Sequence, residues 1–262
     1  MPGPRRQHVV VTGAAGFIGS HLAEALLGQG REVVGVDAFS GQVPPAEKWA
    51  NLSRLLGRPG FELHRLDLAS VYGDAPSYPT TEESRTRPLS PYGVTKLAAE
   101  QLCQAYARPD LSEMTVAILR YFTVYGPRQR SDMAFRRFIE AALAGRPIVV
   151  YGDGGQTRDF TYVDDVVRAN LLAMTAPVEG EAVNIGGGRR VSLAEALELI
   201  GTATGRRPRI DRRPPRPGDA RHTGADGTRA DALLGYRPET DLATGLPAQV
   251  ASVCERRRAT TR

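Results

Sequence analysis

Short apolar runs alternate along the chain with longer segments whose apolar positions recur every three or four residues. The first run, Val9-Val10-Val11, has strand character and leads to Gly13. The segment after it carries Ile18, Leu22, Ala25 and Leu26 at one-face spacing and predicts a helix that begins within glycines. Glu32-Val-Val-Gly-Val-Asp37 and Phe61-Glu-Leu-His-Arg-Leu-Asp67 predict two further strands. Another helix is predicted to open at Ser90-Pro-Tyr92-Gly-Val-Thr-Lys96. Val183-Asn184-Ile185 and its three glycines read as a late strand and turn, with no helix starting directly from them. Strands interleaved with helices predict an α/β fold with a parallel sheet, and 262 residues suffice for one large domain or two modest ones.

Composition narrows the function classes. No run of eighteen apolar residues occurs, so no membrane span is expected. The N-terminus, Met1-Pro-Gly-Pro-Arg-Arg-Gln, enters the first strand without the apolar region of a signal peptide. Two cysteines, Cys103 and Cys254, offer neither a disulfide framework nor ligand spacing, which points to a reduced cytoplasm and no metal. A net charge of +5 raises the question of nucleic acid. The arginine-rich stretch between Arg206 and Arg221 is broken by prolines and acids and carries no nucleic-acid motif, so an anionic small molecule is the expected partner.

Gly13, Gly16 and Gly19 supply the chemistry of a dinucleotide loop. The first permits a tight turn, the second lets backbone approach a pyrophosphate, and the third lets the helix pack against the strand. Phe17 and Ile18 open the helix whose N-terminus then faces the phosphates. Asp37 follows about twenty residues later at the end of the next strand, where a carboxylate accepts adenosine ribose hydroxyls and repels a 2′-phosphate. The expected cofactor is therefore NAD, with Asp67 and Leu68 near the adenine. Tyr92 and Lys96, four apart in a helix, form the candidate catalytic pair and would also border the cofactor. A nearby ammonium favours phenolate and prepares the tyrosine to take a hydroxyl proton. The chain has only two lysines, Lys48 and Lys96, so a chance YxxxK is improbable.

GxxGxxG, Val71-Tyr72-Gly73, YxxxK, Arg120-Tyr-Phe-Thr-Val-Tyr-Gly-Pro-Arg128, Tyr151-Gly-Asp-Gly-Gly-Gln-Thr-Arg158 and Arg216-Pro-Gly-Asp219 occur in that order. Together they resemble the extended short-chain dehydrogenase/reductases, the NAD-dependent nucleotide-sugar epimerases and dehydratases. The resemblance implies a Rossmann-type doubly wound parallel sheet over 1–125 and about 158–188. It also implies a smaller nucleotide-sugar lobe from 126–157 and 189–262, a UDP-sugar substrate and a homodimer. By the same resemblance, Arg158 and Arg216 meet the diphosphate, Asp219 helps hold the nucleotide, and Tyr151 lies by the uracil. Tyr121, Phe122 and Tyr162 are expected to pack rather than bind.

The segment after Arg120 resembles the UDP-glucuronate 4-epimerases, in which Thr123 and Arg130 would face the sugar carboxylate. Oxidising glucuronate at C4 creates a β-keto acid, which loses CO₂ when its carboxylate aligns with the carbonyl. A guanidinium fork can hold it out of alignment. The expected reaction is UDP-glucuronate to UDP-galacturonate through a transient 4-keto sugar. The alternatives are another UDP-hexose 4-epimerase or a UDP-glucuronate decarboxylase. A 4,6-dehydratase would need an Asp-Glu pair before Val71, where Ala69-Ser70 stands.

That junction is the anomaly. In the resembling family two strands, the fourth and fifth, lie between Asp67 and Val71. A βα unit takes about thirty residues, so roughly sixty are expected to be absent. With them goes the catalytic hydroxyl three residues before Val71, where this chain has Leu68. Either a segment of an intact epimerase is left out here, or the protein is an abridged, catalytically impaired NAD- or UDP-sugar-binding paralogue.

Overall fold

The computed structural model describes residues 8–37, 39, 43–64, 80–83, 91–108, 110, 115–178, 180–215 and 221–260. These divide into two compact units, one drawn from 1–68 and 128–133, the other from 69–127 and 134–262.

The first unit is an α/β piece built on a three-stranded parallel sheet. Its elements are β1 (His8–Thr12), α1 (Phe17–Gly28), β2 (Glu32–Val36), α2 (Pro45–Leu52) and β3 (Phe61–His64). β2 lies between β1 and β3, with His8 opposite Glu32 and Val33 opposite Phe61. The three predicted strands are present, the third ending at His64; Asp67 and Leu68 lie outside the described residues. The helix face differs from the periodicity reading. α1 buries Phe17, Ser20, Ala23, Leu26 and Leu27, while Ile18, Leu22 and Ala25 are only partly buried. A serine can occupy the buried face because its hydroxyl donates to the Phe17 carbonyl at 3.2 Å. Among the described residues β1 pairs with β2 alone, and Val10 on it is 62% exposed. By that pairing β1 is the edge of this sheet among the described residues, and Val10 marks a face left open where a parallel strand is ordinarily covered.

The second unit begins with α3 (Pro91–Tyr106) and β4 (Ile118–Tyr121), followed by β5 (Val124–Tyr125), α4 (Ala134–Leu143), β6 (Ile148–Tyr151), β7 (Thr157–Asp159) and β8 (Thr161–Tyr162). It continues through α5 (Val163–Ala173), β9 (Ala182–Ile185), β10 (Arg190–Ser192), α6 (Leu193–Thr204), β11 (Ile210–Arg213), α7 (Thr228–Leu234) and α8 (Leu242–Thr260). Its strands pair in twos: β4 with β9, β5 with β8 and β6 with β11 in parallel, and β7 with β10 antiparallel. The expected late strand is β9, and its apolar side packs with Val178, Ala230, Leu234 and Tyr236. α6 starts at an N-cap, Ser192 accepting the Glu195 N–H, and stops at Gly205 in the left-handed conformation. Tyr125, Phe135, Phe160 and Tyr162 form a second, aromatic cluster. No described helix is long and apolar enough to cross a membrane.

One buried ion pair fixes α3 on β4. Arg120 forks onto Glu100, Nη2 to Oε1 at 2.5 Å and Nε to Oε2 at 3.1 Å, with both side chains under a tenth exposed. Arg120 also donates to the Glu82 carbonyl, and the Glu82 carboxylate accepts the Asn184 N–H. Burial pushes the Glu100 carboxyl up and the Arg120 guanidinium down, each toward its neutral form. The fork offsets that desolvation, and an arginine keeps its charge throughout the accessible pH range. Glu100→Ala leaves the guanidinium buried without its carboxylate and is expected to cost about 3–5 kcal/mol in urea unfolding. The Glu100→Leu/Arg120→Met pair is expected to recover most of that loss.

Candidate active site

In the first unit the glycine turn, α1 and the end of β2 converge on one corner. Gly13 adopts φ +68°, and its carbonyl accepts the Gly16 N–H at 2.8 Å. A Cβ on Gly19 would sit 2.1 Å from the Gly13 oxygen, so only glycine lets the first turn of α1 close this tightly on the loop. Gly16 caps α1 in extended conformation, with no side-chain cap and no acid in the first turn. The positive end of the helix is thus left to an outside anion, beside Phe17 and Ile18.

Asp37 sits at the end of β2, only 4% exposed. Its Oδ2 accepts the Ala15 N–H at 3.1 Å, and its Oδ1 accepts the Phe39 N–H and the Lys48 ammonium, both at 2.8 Å. Asn51, one turn beyond Lys48 on α2, donates to the Ala15 carbonyl at 2.9 Å. One carboxylate therefore joins the glycine turn, the strand end and α2. Lys48 and Asn51 were not singled out as site residues by motif reading. The rarity of lysine was the one signal that pointed to Lys48, and the i, i+3 spacing to Asn51 acquires meaning only once α2 packs on the loop. Lys48 also changes the charge argument: the ammonium offsets the carboxylate, so repulsion of a 2′-phosphate is weaker than Asp37 alone implies. What remains is acceptor-only oxygens that call for ribose hydroxyl donors. The corner fits an NAD adenosine diphosphate half.

The loop 128–133 belongs to the same unit. Arg128, at φ +64°, reaches α1 and donates to Ser20 Oγ at 3.1 Å and to Glu24 Oε2 at 2.5 Å. Arg130 forks onto Asp132, Nε to Oδ1 at 3.0 Å and Nη2 to Oδ2 at 2.7 Å. Next to Glu24 on α1, His21 donates from Nδ1 to the Phe17 carbonyl at 2.8 Å. Burial, and secondly the Arg128 guanidinium, push it down from 6.5 to about 4.

In the second unit α3 carries Tyr92 and Lys96 one turn apart. Lys96 is half-buried, and burial lowers its ammonium below the usual lysine range. The Arg120–Glu100 fork, one turn after Lys96, sets the position of this helix on β4. Thr123 lies between β4 and β5, its carbonyl accepting the Thr161 N–H at 3.1 Å. Tyr151 ends β6, opposite Arg213, and Arg158 lies in β7, opposite Val191, donating to the Thr157 carbonyl at 2.9 Å. Arg216 and Asp219 lie outside the described residues. Tyr162 is buried, and Tyr121 donates to Asn170 Oδ1 at 2.9 Å; burial pushes both phenols up to about 12, as suits packing residues.

Comparison with known proteins places these features in context. The model of the NAD dependent epimerase/dehydratase family matches residues 9–70 and 68–186, two segments that meet at the junction before Val71. An uncharacterized UDP-glucose epimerase of Bacillus subtilis (strain 168) is 35% identical, covering 93% of this chain and 96% of its own length. That alignment runs over 308 residues, more than the 262 of the chain. A UDP-glucuronate 4-epimerase of Thermodesulfobacterium geofontis (strain OPF15) is 28% identical over 91% of the chain and 94% of its own length. The crystal structure of a Bacillus cereus UDP-glucuronic acid 4-epimerase in complex with UDP-glucuronic acid and NAD superposes with TM-score 0.89 at 32% identity, covering 95% of this chain and 99% of that one.

Two outcomes are expected from this geometry. Gly19→Ala must push the Gly13 peptide aside, destabilising the chain by about 1–3 kcal/mol and weakening NAD in a calorimetric titration. Between pH 6.5 and about 4 the unfolded chain binds a proton at His21 that the folded chain refuses. Stability is therefore present above pH 6.5 and falls as acid is added, by up to about 3 kcal/mol. His21→Gln is expected to remove this part of the acid slope in denaturant titrations run across that window.

Proposed function

Because the chain belongs to the NAD dependent epimerase/dehydratase family, we propose that it interconverts UDP-glucuronate and UDP-galacturonate through a transient 4-keto sugar. The observation that carries this choice of sugar is the fork of Arg130, a guanidinium already in side-on carboxylate geometry in the loop that follows Thr123-Val-Tyr-Gly-Pro. Neutral hexoses have no carboxylate to engage such a fork side-on, whereas glucuronate has one that must be kept from eliminating CO₂. The names of the Thermodesulfobacterium and Bacillus cereus proteins support the same sugar.

Gly13, Gly16, Gly19 and the start of α1 hold the pyrophosphate of NAD, and Asp37 with Lys48 holds the adenosine ribose. Bound NAD supplies a reversible hydride acceptor. Tyr92 takes the proton of the sugar 4-hydroxyl and returns it after the sugar has turned. Lys96 stabilises the phenolate by its charge, and its partial burial strengthens that interaction. Thr123 and Arg130 orient the sugar carboxylate, Arg158 and Arg216 bind the diphosphate, and Tyr151 and Asp219 border the nucleotide.

A second reading has its own support. The family match breaks at 68–70, and Leu68 stands three residues before Val71 where the resembling enzymes carry a hydroxyl. This favours a chain that binds NAD and a UDP-sugar but turns over slowly or not at all. Incubating the purified 262-residue chain with NAD and UDP-glucuronate separates the two. UDP-galacturonate is expected, and Tyr92→Phe is expected to reduce its formation about 10²–10⁴-fold. No UDP-galacturonate from the wild-type chain would overturn the UDP-glucuronate 4-epimerase reading and favour the binding paralogue. Arg130→Ala is expected to raise the share of UDP-pentose by-product; an unchanged product ratio removes Arg130 from the carboxylate role.

A further inference from the structure

The partner of Arg130 is a feature that the proposed reaction does not use. Asp132 lies two residues away in the same loop and takes the Nε/Nη2 edge of the guanidinium with both carboxylate oxygens, at 3.0 and 2.7 Å. That edge is the two-pronged face on which an arginine grips a carboxylate most firmly. The loop that presents the pair is held to α1 by Arg128 through Ser20 and Glu24, and the Met133 N–H closes it back on the Arg130 carbonyl at 3.1 Å. The Arg130 and Asp132 side chains remain about a third exposed, 39% and 34%.

We propose that Asp132 is an internal stand-in for the sugar carboxylate and sets how strongly the site prefers acidic over neutral UDP-sugars. This rests on the assignment of Arg130 to the glucuronate carboxylate. With Asp132 in its fork, the guanidinium is neutralised when the site holds a neutral hexose, so such a sugar meets no uncompensated cation. Glucuronate must exchange its own carboxylate for that of Asp132. The exchange replaces one fork by another of equal hydrogen-bond count, and the displaced aspartate is exposed enough to be hydrated. An exposed ion pair is weak, so the exchange is feasible, but it subtracts from the affinity for the acidic sugar alone. Asp132 therefore narrows the gap between the two substrate classes. Its removal should widen the gap by favouring UDP-glucuronate, not by rejecting UDP-glucose.

The test is a set of binding titrations of UDP-glucuronate and UDP-glucose in the presence of NAD, on the full chain and its Asp132→Asn, Arg130→Ala and double variants. Binding is the readout, so the test does not depend on turnover. Asp132→Asn is expected to tighten UDP-glucuronate by up to about fivefold, the range of an exposed ion pair, and to leave UDP-glucose unchanged. Arg130→Ala is expected to weaken UDP-glucuronate, and the double variant to match it, because the proposed effect of Asp132 on the sugar runs through the guanidinium. If Arg130→Ala weakens UDP-glucuronate while Asp132→Asn leaves it unchanged or weakens it too, Asp132 is a positioning partner and the inference is overturned alone. If Arg130→Ala leaves UDP-glucuronate unchanged, the carboxylate assignment itself falls. Failure of the wild-type chain to bind either sugar overturns the proposed function and this inference together.

Discussion

The cofactor half of the molecule depends on one buried carboxylate. Asp37 accepts the Ala15 N–H, the Phe39 N–H and the Lys48 ammonium, so the glycine turn, the end of β2 and α2 share a single electrostatic knot. A charge taken out of water at this depth is tolerable only if it is paired and fully hydrogen-bonded. Lys48 and the two backbone donors meet that condition, and Asn51 holds the other side of the turn by its grip on the Ala15 carbonyl. The open N-terminus of α1 is then kept in a fixed relation to the strand end, as binding a dinucleotide requires. Without the knot, the glycines that make the turn possible would also make it loose.

The second unit has a knot of the same kind. Arg120, Glu100 and Glu82 tie β4, α3 and the segment 80–83 together. The helix bearing Tyr92 and Lys96 is thereby positioned by a residue two turns beyond the tyrosine. Proton transfer is sensitive to misplacements of about 1 Å, so this buried pair bears on the proposed chemistry as directly as the YxxxK residues do. The tension lies at 68–70, where the family match divides. β1 is an edge among the described residues, with Val10 exposed.

Local chemistry was legible in the sequence, and pairwise chemistry was not. The glycine spacing gave the turn and the start of α1 because backbone conformation there is set by the residues themselves. Asp37 was legible because it ends the apolar run of the next strand, about twenty residues after the glycines. The partners of Asp37, Glu100 and Arg128 were not legible, since each lies on a different element and spacing carries no information across elements. The face of α1 was misread for a related reason. Ser20 counts as polar in a periodicity argument, yet it is buried because the Phe17 carbonyl accepts its hydroxyl proton. α8, the terminal helix after α7, was not read as an element of its own. It buries Leu242, Leu246, Val250 and Val253, but arginines and glycine dilute that stripe.

Trp49, the single tryptophan of the chain, offers a direct view of the Asp37 corner. It follows Lys48 on α2 and packs on Phe39 with ring centroids 4.5 Å apart. Titrating NADH into the intact protein while following Trp49 emission reads binding at this corner and at no other tryptophan. A saturable quench is predicted for the wild-type chain. It should be lost in the Asp37→Asn/Lys48→Met variant, which leaves no unpaired buried charge to confuse loss of binding with loss of fold. An absent quench in the wild type, or the same affinity in that variant, would contradict the assignment of this corner to the cofactor.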